Sequence, residues 1–228
     1  ALYYDCGTGK TRMCLEIFKH FKDKEKIILL VICPLTLIHN AWKEDIQKFT
    51  NFTYCDLHKK FLFSPANIYL INYEMFISEK KTLEIIKFLK INKCMIVLDE
   101  SQRIRNYSTI TTKRILTLRN LCQYKILSSG TPFPNSEMEM WSQISFLNDT
   151  ILPPSFYAFR NIFFHLQRGT QIMRGSFLNR IQAREIFSSG WKYDITQKNK
   201  ELLLGMIKPL TIFKKLKDCI ELPEEKEI

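Results

Sequence analysis

Asp5-Cys6-Gly7-Thr8-Gly9-Lys10-Thr11, read together with Val97-Leu98-Asp99-Glu100-Ser101-Gln102 further along, is the part of this sequence that decides the fold. In the first stretch two glycines let main-chain N–H groups close around phosphate oxygens. Lys10 follows for the β- and γ-phosphates and the Thr11 hydroxyl for a magnesium ion, at the start of a helix. In the second stretch an apolar run ends in two adjacent acids, so that Asp99 can hold the metal while Glu100 orients an attacking water. Either motif alone has a plain structural reading: a short glycine turn before a helix, or a solvated pair of carboxylates. Their order, each after an apolar run, is the strand–loop–helix context that gives them a mechanism and predicts a nucleoside triphosphate site. One position departs from the phosphate-loop consensus, since Tyr4 stands where its first glycine would be.

Working outward, the first 150 residues alternate short β-rich runs with helical patterns, as a parallel α/β sheet requires. Ile27–Cys33, Ile68–Asn72, Met95–Asp99 and Lys125–Ser128 read as buried strands. Residues 11–21, 37–49, 82–89 and 109–120 carry apolar side chains at helical spacing. The expected fold is therefore an α/β, RecA-like P-loop sheet with helices on both faces, and its ligands belong on the carboxyl edge of the strands. Near Leu152 the character changes. Pro153-Pro154 breaks the chain, and the stretch from 155 to 208 mixes aromatic and basic residues without strand rhythm, which predicts a mainly helical appendage over 151–228.

The 228 residues suffice for one sizeable core, with or without such an appendage, and 46% hydrophobic with 25% charged residues is globular composition. A net charge of +11 suits a polyanionic partner, nucleic acid first, although a solvated basic surface or an AT-rich genome would also produce it. The seven cysteines have no CxxC spacing and the four histidines are dispersed, so neither a zinc site nor a disulfide framework is expected and a reducing intracellular compartment is. No apolar run approaches a membrane span and no signal peptide opens the chain.

Further segments narrow the reading. Cys33-Pro34-Leu35-Thr36-Leu37 and Asn40-Ala41-Trp42-Lys43-Glu44 follow the second strand, and Ile71-Asn72-Tyr73-Glu74 ends the third. Asp99-Glu100-Ser101-Gln102-Arg103-Ile104-Arg105-Asn106 and Ser128-Ser129-Gly130-Thr131-Pro132-Phe133-Pro134-Asn135 come next, the latter running on through Trp141. In that order and spacing they resemble the first motor lobe of the Swi/Snf-like ATPases of helicase superfamily two. Lys208-Pro209-Leu210, Lys214-Lys215-Leu216-Lys217 and Leu222-Pro223 look like that family's end-of-lobe segment. Ser155–Arg160 and Lys217-Asp218-Cys219 are most similar to its compact bacterial and phage members.

The resemblance implies that Gly7, Thr8, Gly9, Lys10 and Thr11 bind ATP and its Mg2+. It further implies that Asp99 is the metal-side carboxylate and Glu100 the general base. Gln102, where many relatives carry histidine, would sense the γ-phosphate and signal toward Ser129, Gly130 and Thr131. An amide does not titrate, so that coupling should not depend on pH near neutrality. Asn72, Arg103, Arg105 and Asn106 become surface candidates for the DNA path, with a solvated basic turn as the other account of the arginines. Trp42 and Trp141 read as packing residues. Lys214 and Lys215 stand where the family usually has arginines, and lysine cannot supply a planar bidentate fork.

By this reading the chain is the ATP-binding lobe of a DNA-dependent ATPase that translocates on double-stranded DNA or remodels protein–DNA complexes. Ala1 lies so close to Lys10, and so little follows Leu222, that an adenine-recognition segment and a second RecA-like lobe with its arginine finger are expected elsewhere in a larger motor. The rival reading is a degenerate, non-hydrolysing lobe that serves as a DNA- or protein-binding module. Tyr4 and Ser101-Gln102 favour the rival; Lys10, Thr11, Asp99 and Glu100 favour the enzyme.

Overall fold

The computed structural model describes residues 1–5, 7–168 and 191–215. Cys6 of the phosphate loop, the middle of the appendage, Lys217-Asp218-Cys219 and Leu222-Pro223 lie outside the described residues.

The apolar runs become strands buried on both faces. β2 (Ile28–Cys33), β4 (Ile68–Asn72), β5 (Cys94–Asp99) and β6 (Tyr124–Ser129) coincide with the four expected strands to within two residues. Three short strands complete a seven-stranded sheet: β1 (Leu2–Tyr4), β3 (Tyr54–Asp56) and β9 (Ile212–Lys214). The order is β3-β4-β2-β5-β6-β1-β9, and every pairing is parallel. Such a sheet needs crossovers that cover it on both sides. Helices α1 (Lys10–Lys24), α2 (Lys43–Phe49), α3 (Glu79–Ile91) and α4 (Ile110–Leu116) provide them, α2 being entered through a π-helical turn over Ile38–Trp42. This is the expected RecA-like architecture.

Period-two alternation divides each strand between two cores. Leu29, Val31, Cys33, Met95 and Val97 pack with Cys14, Phe18, Ile38, Trp42 and Ile46 on one face. Leu30, Ile32, Ile96 and Leu98 pack with Phe76, Ile85, Leu89 and Ile115 on the other. Asp99 continues the parity of Met95 and Val97, so its carboxylate falls on the face that Trp42 covers.

α3, α4 and two later helices begin with a Ser or Thr whose hydroxyl accepts a first-turn amide, as at Ser78 and Thr109. α1 has no such cap. Its N-cap is left-handed Gly9, and its first turn contains Lys10 and Arg12 but no acid. Positive side chains at the positive end of a helix are locally unfavourable and become favourable once an anion sits there.

The appendage differs in part from expectation. Helix α5 (Met140–Leu147) is buried along almost its whole length and anchors a third cluster. α6 (Phe156–Phe163), contributing Phe159 and Phe163, and α7 (Gln197–Ile207), contributing Leu203 and Ile207, pack into that cluster. Between these two helices β7 (Phe164–Arg168) and β8 (Trp191–Ile195) form an antiparallel pair in place of the expected helix, and the alternation of apolar and polar residues in Trp191-Lys192-Tyr193-Asp194-Ile195 is the signal that marks it. The 150/151 division is also not a boundary of the sheet, because β9 returns to lie beside β1. Among the described residues no helix is long and apolar enough to cross a membrane, and Cys14, Cys33, Cys55, Cys94 and Cys122 are free thiols.

Candidate nucleotide-binding site

β1, β6 and β5 are adjacent, with Tyr3 in register with Ser129 and Asp99 with Ser128. The loop after β1 and the acids at the end of β5 therefore open on the same carboxyl edge, on either side of the end of β6. In the loop, Gly7 and Gly9 have φ of 80° and 78°, a region that side-chain-bearing residues rarely adopt, and an added Cβ would meet nothing within 4 Å. The glycines are required by backbone conformation rather than by crowding. Lys10 Nζ donates to the Tyr4 carbonyl at 2.9 Å and the Asp5 carbonyl at 3.2 Å, and Thr8 Oγ1 donates to the Asp5 carbonyl at 2.8 Å. These bonds lay the lysine along the loop it closes. Tyr4 ends β1 with its ring in the core, so the missing consensus glycine falls on extended chain, where no positive φ is needed.

Asp99 is 4% exposed. Trp42 Nε1 donates to its Oδ2 at 2.9 Å, and the Glu100 amide donates to its Oδ1 at 3.1 Å. Burial raises the carboxyl pKa, and the Trp42 bond opposes that shift. The Ser128 hydroxyl lies near enough to favour the carboxylate, yet by distance and angle it makes no hydrogen bond, so Trp42 is the side chain that holds Asp99. The expectation that Trp42 only packs is thus corrected: it is fully buried and also the carboxylate's donor. Parity pointed to this, because Asp99 shares a strand face with Val97, under the segment containing Trp42. Tyr73 adds a bond from its hydroxyl to the Asp99 carbonyl at 2.8 Å.

Glu100 has φ 52° and ψ 54°, and among the described residues it is the only non-glycine with positive φ. Holding it there costs about 1–2 kcal/mol. The conformation turns its carboxylate toward Gln102, whose Nε2 donates to Glu100 Oε2 at 2.8 Å. Ser129 Oγ donates to Gln102 Oε1 at 2.7 Å and accepts the Thr131 amide at 3.1 Å. Glu100, Gln102, Ser129 and Thr131 thus form one hydrogen-bonded line across the β5–β6 edge, with Gly130 inside its last turn.

The expected DNA residues divide. Arg103 and Asn106 are exposed, and Asn106 Oδ1 caps the Ser108 amide at 3.0 Å. Arg105 is exposed and reaches Glu139 Oε1 from Nε at 3.7 Å. Asn72 is a correction: it is 4% exposed, donates to Glu74 Oε2 at 2.7 Å and lies 3.3 Å from His58 Nδ1. It ends an interior strand, and the exposed side chains of Glu74 and His58 engage its amide and cover it. Lys214 lies on β9, and its carbonyl accepts the Asp5 amide at 3.1 Å, beside the phosphate loop.

A family model described as the SNF2-related domain matches residues 2–227. The chain belongs to the SNF2-related domain family. Similar proteins include DNA repair and recombination protein RAD54B of Gallus gallus, 29% identical over 175 residues, covering 70% of this chain and 18% of that protein. Chromatin-remodeling ATPase INO80 of Schizosaccharomyces pombe is 22% identical over 258 residues, covering 95% of this chain and 16% of that protein. This SNF2-related domain therefore spans less than a fifth of the length of these curated relatives. Among solved structures, the Sulfolobus solfataricus SWI2/SNF2 ATPase core in complex with dsDNA matches with TM-score 0.69 and 26% identity, covering 94% of this chain and 39% of that one. The two curated relatives are vertebrate and fungal, so the expected grouping with compact bacterial and phage members draws no support from them.

Proposed function

We propose that this SNF2-related domain is the ATP-binding lobe of a DNA-dependent ATPase that moves on double-stranded DNA or remodels protein–DNA complexes. The observation that carries the reading is the hydrogen-bonded line from Glu100 through Gln102 to Ser129 and Thr131, beside a phosphate loop with two left-handed glycines. A binding module without turnover has no use for a strained acid tied to a polar relay. The solved core bound to dsDNA and the net charge of +11 support duplex DNA as partner.

The donor set suits ATP with Mg2+: loop amides and Lys10 for phosphate, and the hard oxygens of Thr11 and Asp99 for the metal. When bound, Mg2+ neutralises charge on the phosphates. Lys10 would leave the Tyr4 and Asp5 carbonyls for phosphate oxygens. Trp42 keeps Asp99 aimed, and Glu100 takes the proton of the attacking water. Gln102 reports the change to Ser129, Gly130 and Thr131. A second RecA-like lobe would supply an arginine worth about a thousand-fold or more in rate, so these 228 residues alone should turn over slowly.

The test is phosphate release by the full-length protein with and without random-sequence duplex. Wild type should be stimulated by DNA, and Glu100→Gln should keep ATP affinity while losing turnover, since an amide keeps the shape but takes no proton. Wild-type rates in the variant would remove Glu100 as the base. Absence of any DNA response would favour the binding-module reading.

A further inference from the structure

Resting on the reading above, we propose that Gln143 is a positioning residue: a buried crosspiece that makes the loop after β6 follow the loop containing Glu100. Gln143 and Ser101 are both fully buried. Gln143 Oε1 accepts from Ser101 Oγ at 2.7 Å, while its Nε2 donates to the Pro132 carbonyl at 2.6 Å and the Glu139 carbonyl at 3.3 Å. One amide on α5 thus joins the segment after Glu100 to the segment after Thr131.

Two residues beside it add contacts to these loops. Ser142 Oγ donates to the Ile104 and Arg105 carbonyls, the second at 3.2 Å. Glu139 accepts from Asn135 Nδ2 at 2.7 Å and pairs with Arg105 at 3.7 Å. Glu139 in the 3-10 turn that leads into α5, and Ser142 and Gln143 in its first turns, thus grip both loops between them. Thr131, Pro134 and Asn135 are exposed, and this grip, together with Phe133 packed edge-on against Tyr3 at 5.5 Å, ties their loop down beyond the Ser129 contact.

The physics favours linked motion. Water cannot replace a hydrogen bond at a fully buried site, so a displacement of Ser101 must either carry Pro132 with it or strand a buried polar group. Ser101 and Gln102 are consecutive. A shift of the Glu100 loop is therefore read at two points, by Gln102 at Ser129 and by Ser101, through Gln143, at Pro132. The Gln102 line crosses the strand end; the Gln143 line holds the exposed loop beyond it. Nucleotide state and loop geometry are joined by both.

The variants are Ser101→Ala and Ser101→Ala/Gln143→Leu in the full-length protein. The double change removes hydroxyl and amide together; the single one deletes only a hydroxyl and serves if the double variant does not fold. Amide hydrogen exchange over residues 129–135 is compared with and without a non-hydrolysable ATP analogue and Mg2+, beside basal and DNA-stimulated phosphate release. In wild type the analogue should alter exchange in this loop. The variants should bind the analogue with affinity within about two-fold of wild type, yet lose that exchange response and at least about five-fold of the DNA stimulation, the lower range of allosteric couplings. A variant that keeps both the response and the stimulation ratio would make Gln143 a packing residue and overturn the inference, as would a wild-type loop indifferent to the analogue. If wild-type turnover ignores DNA, the DNA-dependent reading fails separately, and the exchange comparison still decides whether Gln143 links the loops.

Discussion

Replacing Trp42 by Phe keeps an aromatic ring in a fully buried position and deletes the single N–H that reaches Asp99 Oδ2 at 2.9 Å. A hydrogen bond to a charged acceptor contributes about 1.5–3 kcal/mol. The smaller ring adds a cavity cost of about 1 kcal/mol, so Trp42→Phe should destabilise the chain by about 2.5–4 kcal/mol. The two contributions separate in a double-mutant cycle with Asp99→Ala, because the cavity term is present whether or not the carboxylate is there. The coupling energy should then equal the hydrogen-bond term, about 1.5–3 kcal/mol. Urea unfolding followed by far-ultraviolet circular dichroism measures all four proteins without relying on the fluorescence of the residue removed. Additivity within about 0.5 kcal/mol would refute the claim that Trp42 acts on Asp99. The indole would then be only filler beneath the metal-side carboxylate.

Glu100→Gly should relieve the left-handed backbone and stabilise the fold by up to about 1 kcal/mol while abolishing turnover; a destabilised Gly variant would mean the strain argument fails. Asp56 and Glu137 are two carboxylates whose folded values lie below their ordinary 3.8 and 4.5. Burial pushes both up, but the Lys43 and Lys200 contacts, with backbone amides, outweigh it. The folded form then binds fewer protons than the unfolded one, so their stabilisation is full above those ordinary values and disappears as pH falls through the folded ones. Asp56→Asn should flatten the acid limb of a stability–pH curve, and an unchanged limb counts against the Lys43–Asp56 pair. Binding of random-sequence duplex should be weak, indifferent to sequence and linear in log salt with a negative slope; a flat salt response would remove phosphate contact as its basis.

Much of this protein was legible in the sequence because its signals are local. Uninterrupted apolar runs such as Ile28–Cys33 and Cys94–Asp99 can be satisfied only by strands covered on both faces, which is why those bounds fell within a residue of the reading. Gly7 and Gly9 announced a turn that other residues cannot make, and the chemistry of Lys10, Thr11, Asp99 and Glu100 follows from residue type once strand ends are known. β1, β3 and β9, at three residues each, are too short to carry a pattern of their own.

What tertiary structure alone decided is which polar atoms meet. Trp42 and Asp99 are 57 positions apart, Ser101 and Gln143 are 42 apart, and β9 finds β1 from the far end of the chain. No periodicity encodes such partners, since a buried tryptophan or glutamine shows the same local pattern with or without a carboxylate against it. Asn72 taught the same lesson in reverse: a polar residue at a strand end reads as surface, and only the exposed His58 and Glu74 side chains laid over it cover it. The left-handed Glu100 is likewise a product of packing, because a non-glycine holds that conformation only where surrounding contacts outweigh its cost.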